Sequence, residues 1–216
     1  MKHLSLILII LILSCCPLHP AYAFFDKDIR LLTMRDGLAD NTIPCIYKDE
    51  DGFMWFGTDN GLSRYDGKTI QNFKPANTYV SIAAIVRLSD DFLGIVSDGY
   101  LYYFNRKRET FLPIHTESDT AIGVFNVLPA DDSSFWGISG NRLILCQWEI
   151  QQGKEEEKTA VRVRIQKTFQ LLEEKGEVFS SLCYHEKAGS GIWLTTNRGN
   201  LILFHPDTPG RIRRYR

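Results

Sequence analysis

A seven-residue phrase, apolar on both faces and ending at a turn residue, occurs four times: FMWFGTD (53–59), FLGIVSD (92–98), SFWGISG (134–140) and GIWLTTN (191–197). Each is followed by a second short apolar run, marked by Leu62, Leu101, Leu143 and Leu201, at intervals of 39, 42 and 58 residues. Self-similarity at a period of about 40 restricts a chain to stacked repeats, because one unit cannot bury both of its apolar faces alone. Trp55, Trp136 and Trp193 hold one position in three copies, and Gly94 stands there in the second.

The first copy shows what one unit contains. Phe53, Trp55 and Gly57 alternate with Met54, Phe56 and Thr58, as on a strand covered from both sides. Asp59-Asn60-Gly61 supplies residues that tolerate positive φ, so a hairpin returns through Leu62 to Tyr65. Asp66-Gly67 turns again into Thr69 to Phe73, and Thr42 to Tyr47 supplies a strand upstream. Four short antiparallel strands per repeat predict an all-β, partial β-propeller of about four blades. The blades are expected at 42–73, 81–114, 122–167 and 178–216. In this arrangement Trp55, Trp136, Trp193, Leu62, Leu101, Leu143 and Leu201 pack one blade on the next. Recurrence at one register favours packing over a ligand-stacking platform.

The 58-residue interval carries an insertion. Gln151 to Lys158 is polar and charged, and Val161-Arg162-Val163-Arg164-Ile165 alternates strictly, which predicts an elongated, half-exposed hairpin at a blade rim. Leu171 to Glu177 reads as a helical turn before the fourth blade.

Met1-Lys2-His3, the apolar run Leu4 to Leu13 and Ala21-Tyr22-Ala23 together resemble a secretory signal, 1–23, cut after Ala23. Ten apolar residues would span about 15 Å as a helix, half of a bilayer core. The alternative is a lipoprotein signal that leaves Cys15 acylated. The mature chain, 24–216, is therefore expected outside the cytoplasm, in the periplasm. The full 216-residue chain, with 44% apolar residues and a net charge of −1, is globular in composition and gives no reason to expect nucleic acid as a partner. Cys45, Cys146 and Cys183 are an odd set among alternating apolar residues, which predicts small buried side chains rather than disulfides.

No catalytic or phosphate-binding motif is present, and neither Asp49-Glu50-Asp51 nor Asp131-Asp132 has the spacing of a calcium loop. The reading is a non-enzyme without cofactor or metal. Asp59, Asn60 and Arg64 are weak ligand candidates, since propeller ligands usually sit over one face on inter-strand loops, and turn chemistry already accounts for the first two.

Residues 31–73 resemble the two-component regulator propeller repeat. That family's first blade reads as D-G-L, an apolar strand, D-x-x-G-x-x-W-x-G-T, G-L and Y-D-G. Here these are Asp36-Gly37-Leu38, Asp49, Gly52, Trp55, Gly57, Thr58, Gly61, Leu62 and Tyr65-Asp66-Gly67. The resemblance implies the exported sensor region of hybrid two-component histidine kinases of Bacteroidetes-type bacteria. Such regions sense glycan fragments and precede a membrane helix, a kinase and a DNA-binding output domain. An oligosaccharide ligand and a homodimer are the partners it implies. The departure is that the chain reaches Arg216 after four blades, without a membrane span or kinase. Ile29 to Thr33 (29–33) reads like the strand that completes a family ring, so an open arc is expected, with a closed four-bladed ring as the alternative. Other readings are an autonomous exported propeller that binds a protein or glycan, and a propeller-type polysaccharide lyase or esterase.

Overall fold

A computed structural model describes residues 29–74, 80–116, 123–151, 160–185, 191–208 and 211–215. The chain divides into two units, 1–32 and 33–216. The expected signal segment and Cys15 lie outside the described residues. Residues 29–33, expected as a strand, form none; a strand exists only through its ladder, and no partner strand pairs here.

The second unit is built from four antiparallel sheets in chain order. β1 (Cys45–Lys48), β2 (Met54–Thr58), β3 (Gly61–Tyr65) and β4 (Ile70–Phe73) form the first. The second holds β5 (Ile82–Arg87), β6 (Phe92–Ser97), β7 (Tyr100–Asn105) and β8 (Thr110–Pro113). After β9 (His115–Thr116), the third has β10 (Asn126–Asp131), β11 (Ser134–Ser139), β12 (Arg142–Gln151) and β13 (Ala160–Gln170). The fourth has β14 (Phe179–Tyr184), β15 (Ile192–Thr196), β16 (Leu201–Phe204) and β17 (Ile212–Tyr215). Three details depart from expectation. The β12–β13 ribbon pairs on to Gln170, past residue 167. Short β9 joins the third sheet in parallel, opposite Arg162 and Val163. Leu171 to Glu177 makes a bend and a single turn, with the Glu177 N–H donating to the Glu174 carbonyl at 3.2 Å, and no helix.

The repeat survives in the register. Trp55 faces Arg64, Gly94 faces Tyr103, Trp136 faces Leu145 and Trp193 faces Leu203. The extra residue between Trp193 and Leu201 is absorbed in the turn at 197–200, so Thr195 still faces Leu201.

Three core clusters join first to second, second to third and third to fourth sheets. Among the described residues none joins the fourth to the first, and the sheets form an open arc of a β-propeller. At the first interface Trp55, 0% exposed, sits 6.0 Å from Phe73 of its own sheet and 5.7 Å, edge-on, from Phe104 of the next. At the third, Trp136 repeats this with Phe169 at 5.9 Å and Phe204 at 6.2 Å. The second interface has no indole at Gly94. Val86 and Leu88 crowd that position, where an added Cβ would meet them at 2.8 and 3.1 Å. Phe92, Tyr103 and Trp148, the last stacked on Phe135, fill the gap.

Trp193 keeps the register but is only half-buried, and Leu201 likewise, because they point to the outward face of the last sheet. Cys183, opposite Trp193, is exposed for the same reason, against the expectation of burial. Cys45 is half-buried and Cys146 buried, and burial pushes their thiols up to about 11 and about 12. Neither is poised to react as a thiolate.

The first sheet is covered on its outward side over Phe56 and Ser63, while Ile46 of β1 on the same side is 59% exposed. Thr33 caps a 3-10 turn, Met34–Asp36, which ends at Gly37 with φ +111°, a conformation glycine adopts without strain. The chain then lays Leu38, 3% exposed, and Ala39 over the sheet. Asn72 Nδ2 donates to the Gly37 carbonyl at 2.8 Å, and the Ala39 N–H donates to Ser63 Oγ at 3.1 Å.

Gly57 lies at a close approach of the first two sheets. A Cβ there would fall 2.7 Å from Ile82 Cγ2 and 2.9 Å from the Ile82 carbonyl oxygen. Gly57→Ala is expected to cost about 1–3 kcal/mol by overpacking, read as a lowered urea midpoint with an unchanged slope.

Candidate functional site

Asp59 and Asn60 form the β2–β3 turn, at one edge of the sheet. The Asp59 N–H donates to the Thr42 carbonyl at 3.2 Å, and Ser81 Oγ, just before β5, donates to Asp59 Oδ1 at 2.7 Å. The same tie recurs in the next turns. The Val124 N–H donates to the Gly99 carbonyl at 2.7 Å, and the Phe179 N–H to the Gly140 carbonyl at 3.1 Å. The first three turns of this type thus fasten the start of the following sheet, and Asp59 does this with its side chain. Asn60 Nδ2 donates to the Ala39 carbonyl at 3.2 Å, holding the Leu38 segment down. Both residues are engaged in the frame.

Arg64 points elsewhere. Its guanidinium lies 5.1, 5.5 and 5.3 Å from the ring centroids of Phe53, Trp55 and Phe73. It donates to Gln71 Oε1 at 2.6 Å and approaches Glu109 of the second sheet at 3.5 Å. Arg64 therefore belongs to the rim of the first inter-sheet contact. The three candidates do not converge on one ligand.

Buried Asp49 has a similar structural role. It accepts from the Phe53 N–H at 2.8 Å, from Trp55 Nε1 at 2.7 Å and from Arg106 Nη2 at 2.9 Å. Asp66 accepts from Thr69 and Lys68, and these bonds, those of Thr69 first, hold its carboxyl at about 2.

The turn face does offer groups that the sequence reading did not single out. Phe125 is 60% exposed and Tyr100 is 49% exposed, and they flank one turn. Asp98 holds φ +49° there. Gly99 brings the backbone against Phe125, whose Cε1 would lie 3.1 Å from an added Cβ. Gly123 bridges Tyr100. The one available signal, alternation, breaks here: Val124 and Val127 are buried three residues apart, and Phe125, which shares the parity of Val127, is exposed because it lies just before β10. An exposed aromatic beside polar turn residues can stack on the apolar face of a ligand. A cleft of about 690 Å³ also opens along β12 and β13, where Glu149, Arg162 and Arg164 line it. Among the described residues no group of three or more His, Cys, Asp or Glu could hold a metal ion, and no helix is long and apolar enough to cross a membrane.

Residues 37–60 match the family described as two component regulator propeller. They contain Gly37-Leu38, Asp49, Gly52, Trp55 and Gly57-Thr58, so the resemblance read from the sequence holds over this stretch. The fold is similar to the extracellular domain assigned to a hybrid two component system, BT3049, from B. thetaiotaomicron. That match has a TM-score of 0.53 and 15% identity, and covers 85% of this chain and 31% of that one. The extracellular domain assigned to a one component system, BT4673, from the same organism matches with a TM-score of 0.50 and 18% identity, covering 80% of this chain and 28% of that one. At these identities the likeness is one of fold, and this chain spans less than a third of either domain. No curated protein matches.

Proposed function

We propose that this chain is the exported, periplasmic sensor-propeller portion of a two-component regulator of the hybrid histidine kinase type. In this reading it binds glycan fragments and performs no catalysis itself. The observation that carries the reading is the family match over residues 37–60. It is supported by what those residues do: Leu38 covers the first sheet, Asp49 holds Trp55, and Gly57 lets the second sheet approach. His185 and His205 follow strands β14 and β16, a setting unlike a phosphoacceptor helix, so transmitter chemistry would come from another domain.

Phe125 is the ring we assign to sugar stacking, on the turn face beside Asp98 and Tyr100. Isothermal titration of the purified protein against a panel of neutral and acidic oligosaccharides is expected to find a ligand. Phe125→Ala should then weaken it about tenfold or more without changing the melting temperature. No binding anywhere in the panel would count against glycan sensing. Binding unaffected by Phe125→Ala would move the site to another face.

A further inference from the structure

We infer that the cleft at the rim between the third and fourth sheets is a binding site for a free α-amino acid with an aliphatic side chain. The inference is independent of what the turn face senses. It rests on how the three indoles that share a register are satisfied.

Asp49, Asp131 and His185 hold one position, each opposite the residue two before its tryptophan. The Asp49 N–H donates to the Phe53 carbonyl at 3.0 Å, Asp131 pairs with Ser134, and the His185 N–H donates to the Gly191 carbonyl at 2.9 Å. Two of the three also accept from the indole: Trp55 Nε1 donates to Asp49 at 2.7 Å, and Trp193 Nε1 to His185 Nδ1 at 2.8 Å. Asp131 does not, because two serines take its carboxylate. The Ser133 N–H and hydroxyl donate to Oδ1 at 2.8 and 3.1 Å, and Ser134 Oγ donates to Oδ2 at 2.5 Å. Trp136 is only 6% exposed, yet no acceptor among the described residues reaches its Nε1, which is not sealed in the core and so meets the cleft that the indole lines. That N–H calls for an acceptor from outside the chain.

The cleft exists because this rim lacks a plug. At the first interface Arg64, opposite Trp55, lays its guanidinium over the rings of Phe53, Trp55 and Phe73 and reaches toward Glu109. At the third, Leu145 stands opposite Trp136, and Ser134 replaces Phe53. The shorter side chains leave about 280 Å³, roughly the volume of nine waters, which admits a molecule of leucine's size.

The lining carries Lys167, Asp131 and Asp207, with Leu145, Phe169 and Pro206 as its apolar wall. Lys167, beside Leu145, holds the position of Gln71, and neither it nor Asp207 has an ion-pair partner among the described residues. Ser134 first, then Ser133, hold the Asp131 carboxyl below the usual carboxylate range, so it stays charged. A simple carboxylate would meet a net negative lining, and a simple amine would leave Lys167 and the indole unanswered. A zwitterion answers both. Its carboxylate accepts from Trp136 Nε1 and Lys167, taking the part that Asp49 plays for Trp55, and its ammonium meets Asp207 and Asp131. An aliphatic side chain suits the apolar wall.

The test titrates the purified full chain, labelled with 5-fluorotryptophan, with L-leucine. The Trp136 fluorine resonance is assigned by Trp136→Phe. A saturable shift of that resonance and a raised melting temperature are expected. 4-Methylpentanoate, which lacks the ammonium, and 3-methylbutylamine, which lacks the carboxylate, should bind at least about tenfold more weakly. Lys167→Met and Asp207→Asn change exposed side chains. Each should weaken leucine binding by about tenfold and leave the melting temperature of the free protein unchanged. Leu145→Arg, which restores the plug of the first interface, should abolish binding in a folded protein. An unmoved Trp136 resonance with L-leucine, L-isoleucine, L-valine and L-methionine at millimolar concentration would overturn the proposal. So would leucine binding that survives Leu145→Arg, or fragments that bind as tightly as leucine. An oligosaccharide held at Phe125 would leave the Trp136 resonance in place, so this inference and the glycan reading fail separately.

Discussion

Trp55→Ala is expected to destabilise the protein by about 3–5 kcal/mol, whereas Trp193→Ala should cost about 1 kcal/mol or less. The two tryptophans share a register, and what differs is what lies over them. Trp55 is fully enclosed between Phe73 and Phe104, so truncation leaves a cavity between two sheets that cannot collapse without moving both. It also strips buried Asp49 of its indole donor. Trp193 lies on an outward face and already meets solvent. Urea denaturation of both variants, with the slope checked against the parent, decides the matter. Equal losses would mean that the indole acts within its own sheet and that the inter-sheet sandwich contributes little.

Arg106→Met should be comparably damaging, by about 3 kcal/mol, although Arg106 lies outside every repeat phrase. The Asp49 carboxylate has no exposed surface and lies in the turn leading into β2; Arg106 follows β7 of the next sheet and reaches it through Nη2 at 2.9 Å, and the same nitrogen meets Asp51 at 2.5 Å. Removing the guanidinium leaves a buried charge with only neutral donors, the costly way to break an ion pair. The exposed pair Arg198–Glu174 should matter little by comparison. A double-mutant cycle with Asp49→Asn gives the sign. Asp49→Asn/Arg106→Met should lose less than the two single changes combined, by about 1–3 kcal/mol. Strict additivity would show that Arg106 acts through packing alone.

Much of this architecture was legible in the residues because its causes are short-range. Alternation in FMWFGTD, the turn formers Asp59-Asn60-Gly61, of which Gly61 takes φ +112°, and the recurring leucines define a four-stranded unit and its register. The same local logic placed Trp55 and Trp136 in the core correctly but overreached at the last sheet. Trp193, Leu201 and Cys183 read like their counterparts, yet their face is open. Ile29 to Thr33 has strand-like alternation but no ladder. Asp59 and Asn60 were recognisable as turn formers, but not as the tie to Ser81 and the clamp on Ala39, since those partners lie 22 and 21 residues away. Arg106 gave no signal, because nothing in its neighbours announces a carboxylate 57 positions earlier.

The amino-acid sequence by itself determined the unit: which residues pair across each hairpin, where the chain turns, and which position carries an indole. Those follow from φ preferences and a two-residue side-chain period, which act within a few residues. Only the tertiary structure decided which of those indoles are enclosed, which acid meets Arg106, and that Leu38 covers part of one end of the arc while Trp193 is left at the other. Enclosure depends on the neighbouring sheet, and identical phrases differ in burial according to whether a following sheet covers them.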